Sequence, residues 1–346
     1  MQAIFLKAWQ KQALWLWFLL PLAWLYAMLS WLNKKLYQHG LKKVYYPSVP
    51  VIVIGNITVG GSGKTPLIIN FVQYLQQKNI RVGVISRGYG GDSSLMPRLV
   101  TLFDTPKQVG DEPCLIVQTT GVAMSVCPNR GQAIDLLLQY YPDLQIILAD
   151  DGLQHHALDR DKNWIVVDSV RGFGNRQRLP VGFLREPISR LHEPNTSVIY
   201  HVNDNNKQNF INVCTMQLAE QPLQGLFDKQ QTLAPQQVIA MTGIGYPQRF
   251  FNSLEKLGFD LLKKPLPDHH DFSLSDFDNL PDLPIILTEK DAVKVRLLLQ
   301  DIRSQNQEIC KLANRIWVLP VNAVLNDKVY QILDKQLNDL LGDKVL

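Results

Sequence analysis

Net charge is scarce: 35 Lys and Arg against 31 Asp and Glu leave +4 over 346 residues. A nucleic-acid binder normally carries a strong basic excess, so that class is set aside. The small surplus suits phosphates or a lipid surface instead. Cysteine is sparse too. Cys114, Cys127, Cys214 and Cys310 share no CxxC spacing, which excludes a zinc knuckle and a disulfide framework. The globular part is therefore expected in a reducing cytosol. The chain has no internal repeat or low-complexity tract, and nothing in it indicates an obligate protein partner. What it has in quantity is apolar side chains, 46% of the total. That is enough for a full core in one large or two moderate domains.

The longest charge-free apolar run lies at the N-terminus. From Ala13 to Leu32 the sequence ALWLWFLLPLAWLYAMLSWL carries no charge. A helix of that length spans about 30 Å, the thickness of a bilayer's hydrocarbon core. Trp15, Trp17, Trp24, Tyr26 and Trp31 suit a membrane–water interface, and Lys34, Lys35, Lys42 and Lys43 hold the following chain in the cytoplasm by the positive-inside rule. A cleaved signal peptide fits less well, because no small-x-small cleavage site follows. Residues 1–36 thus read as a membrane anchor. Pro21 leaves open whether it spans the bilayer or lies along its surface.

Beyond the basic stretch, short β-branched runs alternate with helical spacing. Val49–Ile54, Val82–Ile85, Ala123–Cys127, Gln145–Ala149, Trp164–Asp168 and Ser197–Val202 read as buried strands. Pro66–Gln77 and Ala133–Tyr141 read as helices. The alternation predicts an α/β fold, a parallel sheet flanked by helices. A glutamine-rich passage near Glu220–Gln237 reads as a linker. Val238–Gly245, Pro284–Leu287 and Ile316–Leu319 then supply strands for a second unit. The expected division is an anchor at 1–36, a P-loop domain at 37–225, and a smaller α/β domain at 226–346.

The first strand runs into Thr58-Val59-Gly60-Gly61-Ser62-Gly63-Lys64-Thr65, followed by a helix, which is where a Walker A phosphate loop belongs. Glycines let backbone N–H groups converge on phosphate oxygens at the positive end of the helix dipole. Lys64 is the residue to reach the β- and γ-phosphates of ATP, and Thr65 the hydroxyl to ligate Mg²⁺. Thr58 stands where the usual pattern has glycine, and the Gly60–Gly61 pair is expected to supply the missing freedom. Ile146–Asp150 followed by Asp151 is an apolar strand ending in two carboxylates, the Walker B form that binds Mg²⁺. Which of the two meets the ion is left open.

A P-loop identifies a nucleotide and not an acceptor. Three further stretches bear on that: Ser86-Arg87-Gly88-Tyr89-Gly90-Gly91, Gly110-Asp111-Glu112-Pro113, and Leu179–Pro187 with Arg185 and Glu186. Singly, each has an ordinary reading: a surface charge, an N-cap, a surface ion pair. A membrane-associated P-loop NTPase switch is the rival class. Thr288-Glu289-Lys290-Asp291 has the letters of a GTPase base-reading motif, which a helix N-cap also produces. Partition-type ATPases carry an early signature lysine in the loop, where Thr58 and Val59 stand here.

Taken in order, TVGGSGKT, SRGYGG, GDEP, ADDGLQHH, LPVGFLREP, PDHHDF and LTEKDAVKV resemble the tetraacyldisaccharide 4′-kinases of lipid A synthesis in Gram-negative bacteria, from the anchor to about residue 295. The resemblance implies transfer of the γ-phosphate of ATP to the 4′-hydroxyl of tetraacyldisaccharide 1-phosphate, a glycolipid, on the cytoplasmic face of the inner membrane. It implies a two-domain P-loop fold with its active site in the interdomain cleft. By residue, it implies Asp111 as the base, paired with His269, and Lys64 on the phosphates. Thr65, Asp150 and Asp151 fall to Mg²⁺. Arg87, Glu112, Gln154, His155 and Arg185 are read as substrate-binding residues, the two arginines as candidates to neutralise phosphate charge on ATP or on the substrate. His269 and His270 are adjacent, and only order within the motif favours the first.

Overall fold

The computed structural model describes residues 5, 8, 9, 11, 13–203, 206–228, 230–300, 302 and 306–342. After a 3₁₀ turn at Leu14–Leu19, helix α1 (Leu20–Gln38) starts with Pro21 in its first turn, where a missing N–H costs nothing. Leu14–Gln38 is long and apolar enough to cross a membrane, and only 11% of its most apolar window is buried. Trp17, Phe18, Trp24, Met28 and Trp31 face outward. The helix is pinned on one side. Tyr26 donates to the Arg185 carbonyl at 3.0 Å, and Lys34 pairs with Glu193 at 2.6 Å.

Strand β1 (Val51–Gly55) is followed by α2 (Lys64–Gln77), β2 (Val82–Ser86), β3 (Arg98–Leu99), α3 (Pro106–Val109), α4 (Asp111–Thr120), β4 (Ala123–Val126), α5 (Arg130–Tyr140), β5 (Ile146–Asp150), β6 (Lys162–Asp168), β7 (Thr196–His201) and β8 (Cys214–Glu220). β1 pairs in parallel with β5 and with β6, so the P-loop strand is central. Every β1 residue is buried because both faces are covered. Ile52 and Ile54 join Leu67, Phe71 and Leu75 of α2; Val51 and Val53 join Ala133, Ile134 and Leu137 of α5. This arrangement delivers the carboxyl ends of β1, β2, β5 and β6 to one edge, where loops bind ligands in open α/β sheets.

The second body is built from β9 (Gln224–Gly225), β10 (Gln237–Thr242), α6 (Pro247–Lys256), β11 (Asp260–Pro265), β12 (Ile285–Thr288), α7 (Glu289–Gln300), α8 (Gln307–Asn314) and β13 (Ile316–Leu319), with sheet order β11-β10-β12-β13-β9. Here the expected division is corrected. The chain re-enters the first body: β14 (Val321–Leu325) pairs antiparallel with β8, completing a nine-stranded sheet among the described residues. Helix α9 (Asp327–Leu341) places Val329, Leu333 and Leu337 in the first core. Gln336 accepts from the buried Trp164 indole at 2.9 Å. The second unit therefore ends near Leu319 and not at residue 346. An edge strand and an amphipathic helix signal burial, but nothing local says in which sheet. The two crossings, after Glu220 and at Pro320, are tied by a bond from Gln221 N to Pro320 O at 2.9 Å.

Candidate active site

The phosphate loop is shaped by its own sequence. Gly60 and Gly63 hold φ of 97° and 96°, in the left-handed region that L side chains avoid. A Cβ on Gly63 would also meet Met216 Cε at 2.8 Å. Thr58 is not among the positive-φ residues; it pairs as extended backbone with Leu184, and Val59 N donates to Phe183 O at 2.8 Å. Threonine is therefore tolerated where the usual loop has glycine. Asn56 steadies the loop from below, donating to Gly60 O at 3.2 Å and to Thr58 Oγ1 at 3.3 Å, and accepts from Lys64 Nζ at 3.2 Å. Ser62 is buried with its hydroxyl unpartnered, and Thr65 is buried in the first turn of α2.

At the end of β5, Asp150 accepts from Ser86 Oγ at 3.0 Å through Oδ2, while its buried Oδ1 has no partner. Burial first, then the charge of Glu112, pushes Asp150 up to about 7. Asp151 adopts φ of 47° and accepts from Arg185 Nη1 at 2.9 Å; Lys64 Nζ stands 3.6 Å from its Oδ1. Burial alone would raise Asp151, but Lys64 and Arg185 outweigh it and the carboxyl sits below its ordinary range. The Arg185–Glu186 pair is not a solvated one. Arg185 turns to Asp151, and Glu186 accepts from Gln154 at 2.6 Å and pairs with Arg190 at 3.1 Å.

His155 lies half-buried after this turn, and Arg87 at the end of β2 is exposed. Burial, with Arg130 and Arg87 adding to it, brings His155 down to about 4. Arg130 is buried, donates to Cys127 O at 2.9 Å, and keeps an unpartnered Nε.

The GDEP segment closes the site from the other side. Gly110 has φ of 97°, and a Cβ there would stand 2.5 Å from Tyr89 O, so glycine lets α4 begin hard against the SRGYGG loop. Asp111 Oδ2 meets His269 Nδ1 at 3.0 Å and Lys294 Nζ at 2.8 Å. Lys290 Nζ donates to Glu112 Oε1 at 2.7 Å. Burial opposes ionisation of Asp111, yet His269 and Lys294 win and its pKa is lowered; the Asp111 hydrogen bond raises that of His269. Glu112 is also lowered, against burial, by Lys290 and then Lys64, so this carboxylate lies within the field of the phosphate loop. His270 turns away, to Asp276 at 3.0 Å.

The structure thus gathers Lys64, Asp151, Gln154 and Arg185 into one contact network beside Asp150, and pairs Asp111 with His269; Glu112, next to Asp111, lies close enough to Lys64, Asp150 and Asp151 to interact with them. Lys290, Lys294, Asn56 and Arg130 escaped the sequence reading, although the two lysines lie in the LTEKDAVKV stretch. Asp291 is no base reader. Its carboxylate is taken by Thr242, Thr288 and the Gly243 N–H inside the second body.

His201 gives a pH test. Its Nδ1 lies 3.1 Å from Ser62 O, and burial, then Arg249, pushes it down to about 4. The unfolded chain protonates this ring near 6.5 while the folded one does not. Stability from His201 is therefore present above about 6.5 and lost as pH falls toward 4, by up to about 3 kcal/mol. Asp150 titrates with the opposite slope, so the comparison is with His201→Gln. The melting temperature of the native chain should fall more steeply from pH 7 to 4.5 than that of the variant. Parallel curves would refute the assignment.

A strand–P-loop–helix unit, paired carboxylates on the neighbouring strand and a buried aspartate paired with a half-buried histidine of the second body define a P-loop phosphotransferase. Comparison makes it specific. Residues 15–338 match the family described as tetraacyldisaccharide-1-P 4′-kinase, LpxK, and the chain belongs to that family. It is 54% identical to the tetraacyldisaccharide 4′-kinase of Psychrobacter cryohalolentis, over 98% of this chain and 97% of that one. It is 41% identical to that of Actinobacillus pleuropneumoniae serotype 7, over 92% and 94%. The crystal structure of LpxK from Aquifex aeolicus in complex with ATP superposes with a TM-score of 0.72 at 24% identity, covering 95% of this chain and all of that one. The NTPase-switch reading is not favoured.

Proposed function

We propose that this chain transfers the γ-phosphate of ATP to the 4′-hydroxyl of tetraacyldisaccharide 1-phosphate, giving the bisphosphorylated lipid A precursor, with Asp111 as general base. Family membership supports the reaction. The observation that carries the residue assignment is the Asp111–His269 contact, beside Glu112, on which the Lys64 charge acts.

A sugar hydroxyl is a weak nucleophile at neutral pH. Asp111 takes its proton as the oxygen attacks the γ-phosphorus, the P–O bond to ADP breaks, and His269 holds the carboxylate in place. Both cross-domain contacts fall on Oδ2, which leaves Oδ1 for the hydroxyl. Lys64 offsets charge on the transferring group, the larger electrostatic contribution. Arg185, Arg87, Gln154 and His155 are the proposed substrate-binding residues, and arginine suits phosphate oxygens whether on ATP or on the acceptor.

Mg²⁺ fits the residues present. Among the described residues no cluster of three or more His, Cys, Asp and Glu exists. Asp150 Oδ1 and Asp151 Oδ1 are nonetheless buried without hydrogen bonds, and two carboxylates plus a hydroxyl suit an ion that draws its other ligands from phosphate and water. Thr65, Asp150 and Asp151 would hold it, and it would neutralise phosphate charge.

The exposed apolar face of α1 supports attachment to the inner membrane from its cytoplasmic side, where a four-chain glycolipid resides. With γ-labelled ATP, the label should pass to the glycolipid and not to water; release chiefly as inorganic phosphate would overturn the kinase reading. A chain lacking residues 1–36 should shift from the membrane to the soluble fraction. Unchanged fractionation would count against the anchor.

A further inference from the structure

We infer that Lys294 is a positioning residue for the phosphoryl transfer: from α7 of the second body it fixes the Asp111 carboxylate and the loop carrying His269 in one arrangement. This rests on Asp111 being the base.

Lys294 Nζ lies 2.8 Å from Asp111 Oδ2 and donates to His270 O at 3.0 Å. One ammonium therefore ties together the carboxylate and the backbone beside its histidine partner. The pair is enclosed, with Lys294 and Asp111 side chains 9% and 10% exposed. Such an ion pair has a definite geometry, unlike a solvated one.

Lys290 and Lys294 are four residues apart and so share a face of α7. They grip the successive carboxylates Glu112 and Asp111 at the first turn of α4. A single contact would leave α7 free to pivot on α4; two contacts fix both its register and its rotation. The other charged groups nearby leave the role to Lys294. Asp268 is 4.0 Å from His269 Nε2, on the side of the ring away from Asp111. Lys107 pairs with Asp271 at the exposed rim. Lys64 acts on Glu112. Only His269 and Lys294 touch Asp111 among the described side chains. Because Lys294 takes Oδ2, it acts on the base and not on the reacting atoms.

α7 and the His269 loop belong to the second body and α4 to the first, so these contacts join the two bodies, which the chain also links at Gln221 and Pro320. Lys294 thus makes the orientation of the base depend on the contact between the two bodies.

The test compares Lys294→Ala and Lys294→Gln in the full-length, membrane-reconstituted enzyme, alone and on an Asp111→Asn background. Each variant is checked for a native melting transition and for ATP affinity. Lys294→Ala should lower kcat about 10²-fold with KM for ATP within about twofold, since orientation of a base accounts for rate and not nucleotide binding. Lys294→Gln keeps a donor for His270 O and should lose less. Added methylammonium should restore at least tenfold to Lys294→Ala. On the Asp111→Asn background the second substitution should cost almost nothing, because no carboxylate remains to be oriented. Near-wild-type kcat in folded Lys294→Ala overturns the inference, as does a loss that no amine restores and that persists in full on the Asp111→Asn background. If Asp111→Asn alone is nearly as active as the wild type, the base assignment has failed first and Lys294 falls with it.

Discussion

Replacing Asp111 by Asn should lower turnover about 10³-fold while ATP affinity stays within about twofold. The substitution is nearly isosteric, and the Asn oxygen still accepts from Lys294, so α4 and α7 stay joined. What is lost is the ability to accept a proton, and a positioned base contributes roughly 10²–10⁴-fold. ATP affinity should be spared because, on the proposed assignment, the nucleotide is held by Lys64 and by the backbone amides of the loop between β1 and α2, and not by α4. Initial rates with the glycolipid acceptor, beside equilibrium ATP binding, separate the two quantities. Turnover within tenfold of the wild type would remove Asp111 from the mechanism. Glu112→Gln is the control. Glu112 is engaged by Lys290 at 2.7 Å, so its loss should weaken the α4–α7 contact and cost less than loss of the base.

Lys64→Ala should lower kcat/KM by about 10³-fold, and unlike Asp111→Asn it should also weaken ATP binding. Its ammonium lies 3.2 Å from Asn56 Oδ1 and 3.6 Å from Asp151 Oδ1, between the loop and the carboxylate pair. Removing one preorganised donor from a transition-state charge costs about 10²–10³-fold, and the lost ground-state attraction to the triphosphate adds to it. A second consequence follows from burial. Lys64 is the leading charge that holds Asp151 below its ordinary range. Without it, Asp151 protonates more readily, and the acidic limb of activity should move to higher pH. Lys64→Arg should not restore rate, because a planar fork does not fit a site built for a point charge. An active Lys64→Ala enzyme with normal ATP affinity would contradict the phosphate-loop assignment.

Much of the P-loop end of the site was legible because its chemistry is local. A strand, a glycine-rich turn and a helix N-terminus lie within about two dozen residues, and the Ile146–Asp150 strand announces its own carboxyl end. Even the departure at Thr58 resolves locally, since that position is extended and needs no glycine. The other half was legible only as motifs. GDEP and PDHHDF are 158 positions apart at Asp111 and His269, and order alone chose between two histidines. The choice has a geometric basis: His269 adopts φ of 58° and meets Asp111, while His270 packs edge-on against Phe272 and bonds Asp276.

By itself the sequence determined the anchor-like helix, the α/β class, the phosphate loop and the acidic pair, because each depends on side-chain periodicity or on backbone freedom within a few residues. Only the tertiary structure decided the rest. It returned β14 and α9 to the first sheet, turned Arg185 inward onto Asp151, and brought Lys290 and Lys294 onto α4. Such pairings are set by which buried faces and charges can be satisfied together across the cleft. That is a property of the folded surfaces, and no short stretch of residues encodes it.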